Sequence, residues 1–193
     1  MGPSPQERSV PPRGGLVRRR FVPDWLVQDW AANAESTKSQ VILVAFRAAQ
    51  RALVGSALPR PVAKVVVTGY KVLTTWVLGV ELPPETQVGP ALRLIHPQGI
   101  VVNGQTRIGA GVIVRANTTI GNVIAADGTV TASPVIGDRV ELGANVVVVG
   151  PVRIGDGARV GAGAVVIRDV PAGAVAVSNP ARILPDRTRP DPT

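Results

Sequence analysis

Ile136, Leu142, Val148, Ile154, Val160 and Val166 stand six residues apart in this 193-residue chain. Neither the 3.6-residue period of an α-helix nor the two-residue period of a strand produces that spacing. A short fixed period marks a solenoid, in which each repeat buries its apolar face against the next. Two further registers accompany the aliphatic spine. Gly137, Gly143, Gly155 and Gly161 directly follow spine residues, and Val140, Val146, Val152, Ala158, Ala164 and Val170 stand four positions after each one. The reading is a coil of short strands with a corner every six residues. The spine fills the interior, a small side chain occupies the narrowing corner, and glycine supplies backbone angles closed to other residues.

A weaker copy of the pattern lies upstream at Val102, Ile108, Val114 and Ile120, with Thr106, Val112 and Thr118 in the small-residue slot. Ile120 and Ile136 are not a whole number of repeats apart, so an insertion leaves the coil within residues 122–133 (NVIAADGTVTAS). Excursions from a rigid scaffold often carry function. Hexapeptides of this form resemble those of the hexapeptide acyltransferases, whose three six-residue faces wind into a left-handed parallel β-helix. The resemblance implies about four coils here, spaced roughly 4.8 Å apart as paired strands are.

The chain has no cysteine, which excludes disulfides and thiolate metal sites, and its single histidine excludes a His-ligated zinc centre. No metal is expected. The net charge of +8 does not point to nucleic acid, because half of it resides in residues 1–22, a Pro/Gly-rich leader with five arginines against Glu7. That composition reads as a solvated tail, as does residues 185–193. No apolar run follows the leader arginines, so export is not expected and a cytoplasmic location is.

Residues 23–80 read as a small helical subdomain ahead of a β-helix over 81–184. Thr37 to Leu53 can begin at a Ser36 or Thr37 cap and stop near Gly55, and a second helical stretch, Val62 to Val80, follows Pro61 as a breaker. Lys64, Gly69 and Lys71 interrupt the second stretch, so packing on neighbours or at a trimer interface is the expectation, with peripheral membrane contact as the rival.

The segment from Gly79 to Gly109 (GVELPPETQVGPALRLIHPQGIVVNGQTRIG) resembles the serine O-acetyltransferases, including His96 and the Gly99, Ile100, Val101 and Val102 that follow. In that family an acidic residue fifteen positions earlier pairs with the histidine, and Glu81 stands there. The resemblance implies an acetyl-CoA-dependent O-acetyltransferase. His96 would be the general base that takes the acceptor hydroxyl's proton, and Glu81 would fix the ring's tautomer and stabilise the imidazolium. Imidazole suits this role because it exchanges a proton near neutral pH. Carried over through the repeat, the acetyl-CoA contacts are Gly121, Ala144, Arg159 and Ala162, with Arg168 near the phosphates. A groove shared between chains implies a homotrimer, alone or as a dimer of trimers.

Two departures concern the acceptor. The family has Asp immediately before the histidine and a second histidine before a proline after the insertion, where this chain has Ile95 and Ser133. DWAAN at 29–33, residues 70–82, NTTIGN at 117–122 and VELGANVVVVGPVRIG at 140–155 resemble a related branch that includes colanic-acid-type polysaccharide acetyltransferases. The resemblance spans roughly residues 24–185. L-serine or a serine-like small molecule is one expected acceptor, a sugar hydroxyl in exopolysaccharide or secondary-metabolite biosynthesis is another, and a non-catalytic β-helix scaffold is the third reading. The chain ends in Thr193 rather than the isoleucine with which many serine acetyltransferases dock into cysteine synthase, so that partnership is not expected.

Overall fold

Each face of a triangular coil offers two inward positions, and the hexapeptide fills one with a spine residue and the other with the small residue two before it. The computed structural model, which describes residues 23–54 and 58–178, forms a parallel β-helix on that plan. The leader, Gly55 and the tail expected at 185–193 lie outside the described residues. The first coil consists of β1 (Val80–Glu81), β2 (Gln87–Val88) and β3 (Arg93–Ile95), and the second of β4 (Ile100–Val102), β5 (Arg107–Ile108) and β6 (Ile113–Arg115). The third contains β7 (Thr119–Gly121), β8 (Val135–Ile136) and β9 (Glu141–Leu142). The fourth contains β10 (Val147–Val149), β11 (Arg153–Ile154) and β12 (Arg159–Val160). The fifth contains β13 (Val165–Val166), a single bridge at Val170 and β14 (Val175–Ala176).

Stacking these coils makes three parallel sheets: face I (β1-β4-β7-β10-β13), face II (β2-β5-β8-β11) and face III (β3-β6-β9-β12-β14). Register pairing places Val102, Ile120, Val148 and Val166 in one interior column. The spine residues and the small-slot residues of the second block are all buried. Burial of each such aliphatic side chain is worth roughly 1.5–3 kcal/mol. The described residues hold five coils rather than about four. Leu82, Val88 and Leu94 continue the six-residue spine into the first coil, but Leu94 and Val102 stand eight positions apart, which hides the continuity.

The role expected of the spine-following glycines needs correction. None of Gly137, Gly143, Gly155 and Gly161 has a positive φ. What Gly143 allows is close approach: a Cβ there would lie 2.6 Å from the backbone nitrogen of Ala162 in the next coil. The left-handed corner residue comes two positions later, at Gly111, Asn117, Arg139, Asn145, Gly157 and Gly163, where Gly and Asn are the least strained choices.

The segment between β7 and β8 projects as a small antiparallel excursion. Ile124 bridges Val130, and the turn closes through Gly128 N–H to Ala125 O at 2.9 Å. Asp127 accepts from the Thr129 hydroxyl and amide, and these bonds hold its carboxyl below the usual carboxylate range.

The helical part begins with α1 (Asp24–Val27), a 3-10 turn (Ala31–Asn33) and α2 (Thr37–Leu53), whose N-cap Ser36 accepts from Ser39 N–H at 3.2 Å. Next comes α3 (Arg60–Lys71), continued by a π-helical turn over Val72–Val77. Pro61 thus lies in the first turn of α3 rather than ahead of it, a position where its missing N–H is not needed. Val80, expected in the second helical stretch, already belongs to β1.

This part caps the open edge of the first coil. Asp29 accepts from Leu92 N–H (2.9 Å), and Asn33 donates to Leu92 O (2.7 Å) and accepts from Leu94 N–H (2.9 Å). Ser39 Oγ donates to Leu94 O at 2.8 Å, and Arg47 donates to Val88 O and Gly89 O at 2.8 and 2.7 Å. Gln50 donates to Thr86 O at 2.8 Å, and Tyr70 OH to Leu82 O at 2.6 Å. Burial pushes the Tyr70 phenol well above its ordinary range. Arg47 Nε also meets Asp29 Oδ2 at 2.8 Å, with both side chains buried.

Two stability measurements check this packing. Arg47→Ala leaves Asp29 as an unpaired buried charge and two backbone carbonyls short of donors, so urea unfolding should show a loss of about 3–5 kcal/mol. Thr86 and Thr106 hydroxyls are buried with no hydrogen-bond partner among the described residues. Thr106→Val should therefore raise stability by about 1 kcal/mol at unchanged m-value.

Candidate active site

The two extra residues of the first coil fall at the corner where face III turns into face I, and His96 opens that corner. Its φ is +50° and its side chain is exposed, while Pro97 behind it is buried. Gly99, at φ +63°, closes the corner by donating to Gly79 O at 2.7 Å. His96 lines a cleft of about 270 Å³ with Ile95, Leu94 and Arg93 from β3 and with Ala32, Asn33, Glu35 and Ser36 from the helical cap. Across it Arg93 Nη2 meets Glu35 Oε2 at 3.1 Å. The cleft thus carries one imidazole, one guanidinium and one carboxylate.

Glu81 points outward from β1, is exposed, and lies beside Val101 in the neighbouring strand. It lines a separate cleft of about 140 Å³ with Tyr70, Lys71, Thr74, Thr75, Leu82 and Pro83. Among the described residues no hydrogen bond or ion pair joins Glu81 to His96.

The residues expected to touch acetyl-CoA divide between two edges. Ala144 and Ala162 lie on the III–I edge below His96, and Arg159 is exposed on β12 of face III, three residues before Ala162. A backbone ladder runs down this edge: Asn117 N–H to Gln98 O (2.8 Å), Asn145 N–H to Ala116 O (2.9 Å) and Gly163 N–H to Ala144 O (2.9 Å). Asn117 Nδ2 donates to Asn145 Oδ1 at 3.1 Å, so two carboxamides also stack along it. Gly121 and Arg168 instead lie on the I–II edge, one at the end of β7 and the other just past β13. Ser133, the other departure, is on that same edge, donating to Asn103 Oδ1 at 3.1 Å.

The expected residues therefore do not form one cluster within a single chain. A six-residue face at about 3.3 Å per residue separates the two edges by roughly 20 Å. Between them face I presents Val101, Val165 and Ile167, exposed at 39, 63 and 65 %. Sequence reasoning missed Arg93, Glu35, Asn117 and Asn145. The asparagines carried a signal, since each stands three after a spine residue, whereas Glu35 and Arg93 are 58 positions apart.

Among the described residues no group of three or more His, Cys, Asp or Glu side chains is placed to hold a metal ion, and no helix is long and apolar enough to cross a membrane.

Comparison with known proteins places this geometry in a family. The family profile "Bacterial transferase hexapeptide (six repeats)" matches residues 133–168. WcaB of Escherichia coli (strain K12), a provisionally named colanic acid biosynthesis acetyltransferase, is 32 % identical over 161 residues, which are 82 % of this chain and 98 % of WcaB. Serine acetyltransferase of Mycobacterium tuberculosis is 32 % identical over 114 residues, 59 % of this chain, and the match spans 48 % of that enzyme's length. Among solved structures, soybean serine acetyltransferase complexed with serine superposes with a TM-score of 0.63 at 31 % identity, covering 83 % of this chain and 68 % of that one. With its coils, its cap and its near-complete overlap with WcaB, the chain belongs to the hexapeptide-repeat acyltransferases of left-handed β-helix fold, in the group that holds the serine acetyltransferases and WcaB.

Proposed function

We propose that the protein is an acetyl-CoA-dependent O-acetyltransferase that acts on the hydroxyl of L-serine or a serine-like small molecule. The observation that carries this reading is the cleft that His96 lines together with the Arg93 and Glu35 pair. An α-amino acid is complementary to that pair, its carboxylate to Arg93 and its ammonium to Glu35. The existing ion pair is exposed on both sides, so opening it costs little.

In this reading His96 accepts the hydroxyl proton as the acceptor oxygen attacks the thioester carbonyl. The tetrahedral oxyanion then collapses, the C–S bond breaks, and the imidazolium returns the proton to the departing CoA thiolate. Glu81 serves by bonding the ring nitrogen that faces away from the acceptor, a contact the reading requires to form in the bound state. Acetyl-CoA lies along the III–I edge against Ala144 and Ala162 with Arg159 beside it. Gly121 and Arg168 reach the same molecule from a neighbouring copy, which is why the reading includes a homotrimer packed through face I. The apolar face between the two edges supports that assembly. Acetyl-CoA use implies the cytoplasm.

A specific observation favours a second acceptor. WcaB is matched along 98 % of its length, and Ile95 puts an apolar side chain next to His96 in the place where the resemblance to serine acetyltransferases would have Asp. Both suit a sugar hydroxyl.

CoA-thiol release from acetyl-CoA, measured with L-serine and with a panel of sugars and nucleotide-sugars, tests the proposal. His96→Ala should lower kcat/KM by about 10²–10⁴-fold, and Glu81→Gln should lower it less. Activity unchanged in His96→Ala sinks the general-base assignment, and no turnover with any acceptor favours a scaffold. Arg93→Ala should raise KM for L-serine about tenfold or more while leaving a sugar acceptor's KM nearly unchanged, as loss of a charged hydrogen bond predicts.

A further inference from the structure

The outer side of α3 and its π-helical continuation is unpartnered. Val62, Val65, Val72 and Trp76 are 43, 71, 50 and 85 % exposed. With Gly69, where an added Cβ would meet nothing within 4 Å, they recur at spacings of three and four and so form one stripe along the helix. The opposite side of the helix packs inward through Tyr70 and Thr74, so the stripe does not serve the core. An apolar row ending in a nearly fully exposed tryptophan needs a partner.

Charge says what kind of partner. From Leu58 to Val80 the chain carries Arg60, Lys64 and Lys71 and no acidic residue. The three bases share one side of the helix, and of them only Lys71 forms an ion pair among the described residues, an exposed contact of 3.7 Å with Glu85. Pairing two copies of this helix side by side in antiparallel fashion would bring their basic flanks together with no carboxylate on the helix to offset them, which opposes self-association. Spanning a bilayer is excluded for this helix by its length and its bases. An in-plane surface that is apolar below and anionic above satisfies both parts, with tryptophan at the interface and lysines reaching its headgroups.

We propose that α3 and its continuation dock the protein, lying flat, on an anionic lipid surface through Val62, Val65, Val72 and Trp76, with Arg60 and Lys64 at the headgroups. The docking surface adjoins the Glu81 cleft, which shares Lys71 and Thr75 with this helical segment.

Vesicle flotation of the full-length chain tests this with phosphatidylcholine vesicles that contain or lack about 30 % phosphatidylglycerol. The wild type should float with the anionic vesicles and about tenfold less with the neutral ones. Val65→Ser/Trp76→Ser and Lys64→Glu should each reduce anionic binding about tenfold, with wild-type thermal melts showing that both variants are folded. Binding equal to wild type in both variants overturns the proposal, because the leader arginines would then be adsorbing by charge alone. Absence of vesicle binding by the wild type also overturns it, and a Val65→Glu chain that sediments at lower mass than wild type would reassign the stripe to contact between copies.

Discussion

The first coil of a β-helix has no coil beneath it, so every other amide and carbonyl along that edge must find a partner outside the repeat. Left open, such an edge is a template for pairing with another chain. Here the buried Asp29 and Arg47 pair sits at the centre of the solution. One carboxylate oxygen holds the Leu92 amide, and the guanidinium reaches two carbonyls on face II. Desolvating two charges is costly on its own. In this protein the backbone groups they satisfy, together with those bound by Asn33, Ser39, Gln50 and Tyr70, turn the pair into the lid on which the stack of coils rests.

That lid also sets the candidate site. Asn33 and Ser39 bind Leu94 from below, which fixes the strand that ends at Ile95 and presents His96 at a corner with a strained, positive φ. The same cap supplies Glu35 opposite Arg93, so one element closes the edge of the β-helix and walls the cleft beside the histidine. The later repeats contribute the rest through geometry alone: successive corners stack, and each edge becomes a ladder of backbone groups on which a long, narrow ligand such as a pantetheine arm can lie. Division of Gly121 and Arg168 from Ala144 and Ala162 between two edges follows from the triangular cross-section, and the assembly proposed above follows from that division.

Much of this was legible in the sequence, and what was not has physical reasons. The hexapeptide spine named the fold because interior residues recur wherever the chain turns three times per coil. Its extension to Leu82, Val88 and Leu94 was present but masked by the two residues that create the His96 corner. The glycine that follows four of the six spine residues was legible as a position but not as to cause: the next coil's backbone approaches there, and the left-handed residue lies two further on, where Arg139 breaks the Gly and Asn pattern. The cap was illegible, since Asp29 and Leu92 meet across 63 positions and Arg47 and Val88 across 41. DWAAN was recognisable as a family-like segment, yet nothing local says that its Asp and Asn bind the first coil. For the same reason His96 was found by its surroundings in sequence, whereas the Arg93 and Glu35 pair could be found only in the fold.

Native-state hydrogen exchange at the Leu92 and Leu94 amides tests most directly whether the cap and the β-helix are one structure. Both amides point away from the second coil and owe their protection to Asp29 and Asn33 alone. If the cap is integral, they exchange only on global unfolding, with the same opening free energy as the Val148 and Ile154 amides at the centre of the stack. Exchange of Leu92 and Leu94 at the rate of free amides, while the central coils stay protected, would show that the cap opens independently and would contradict the account.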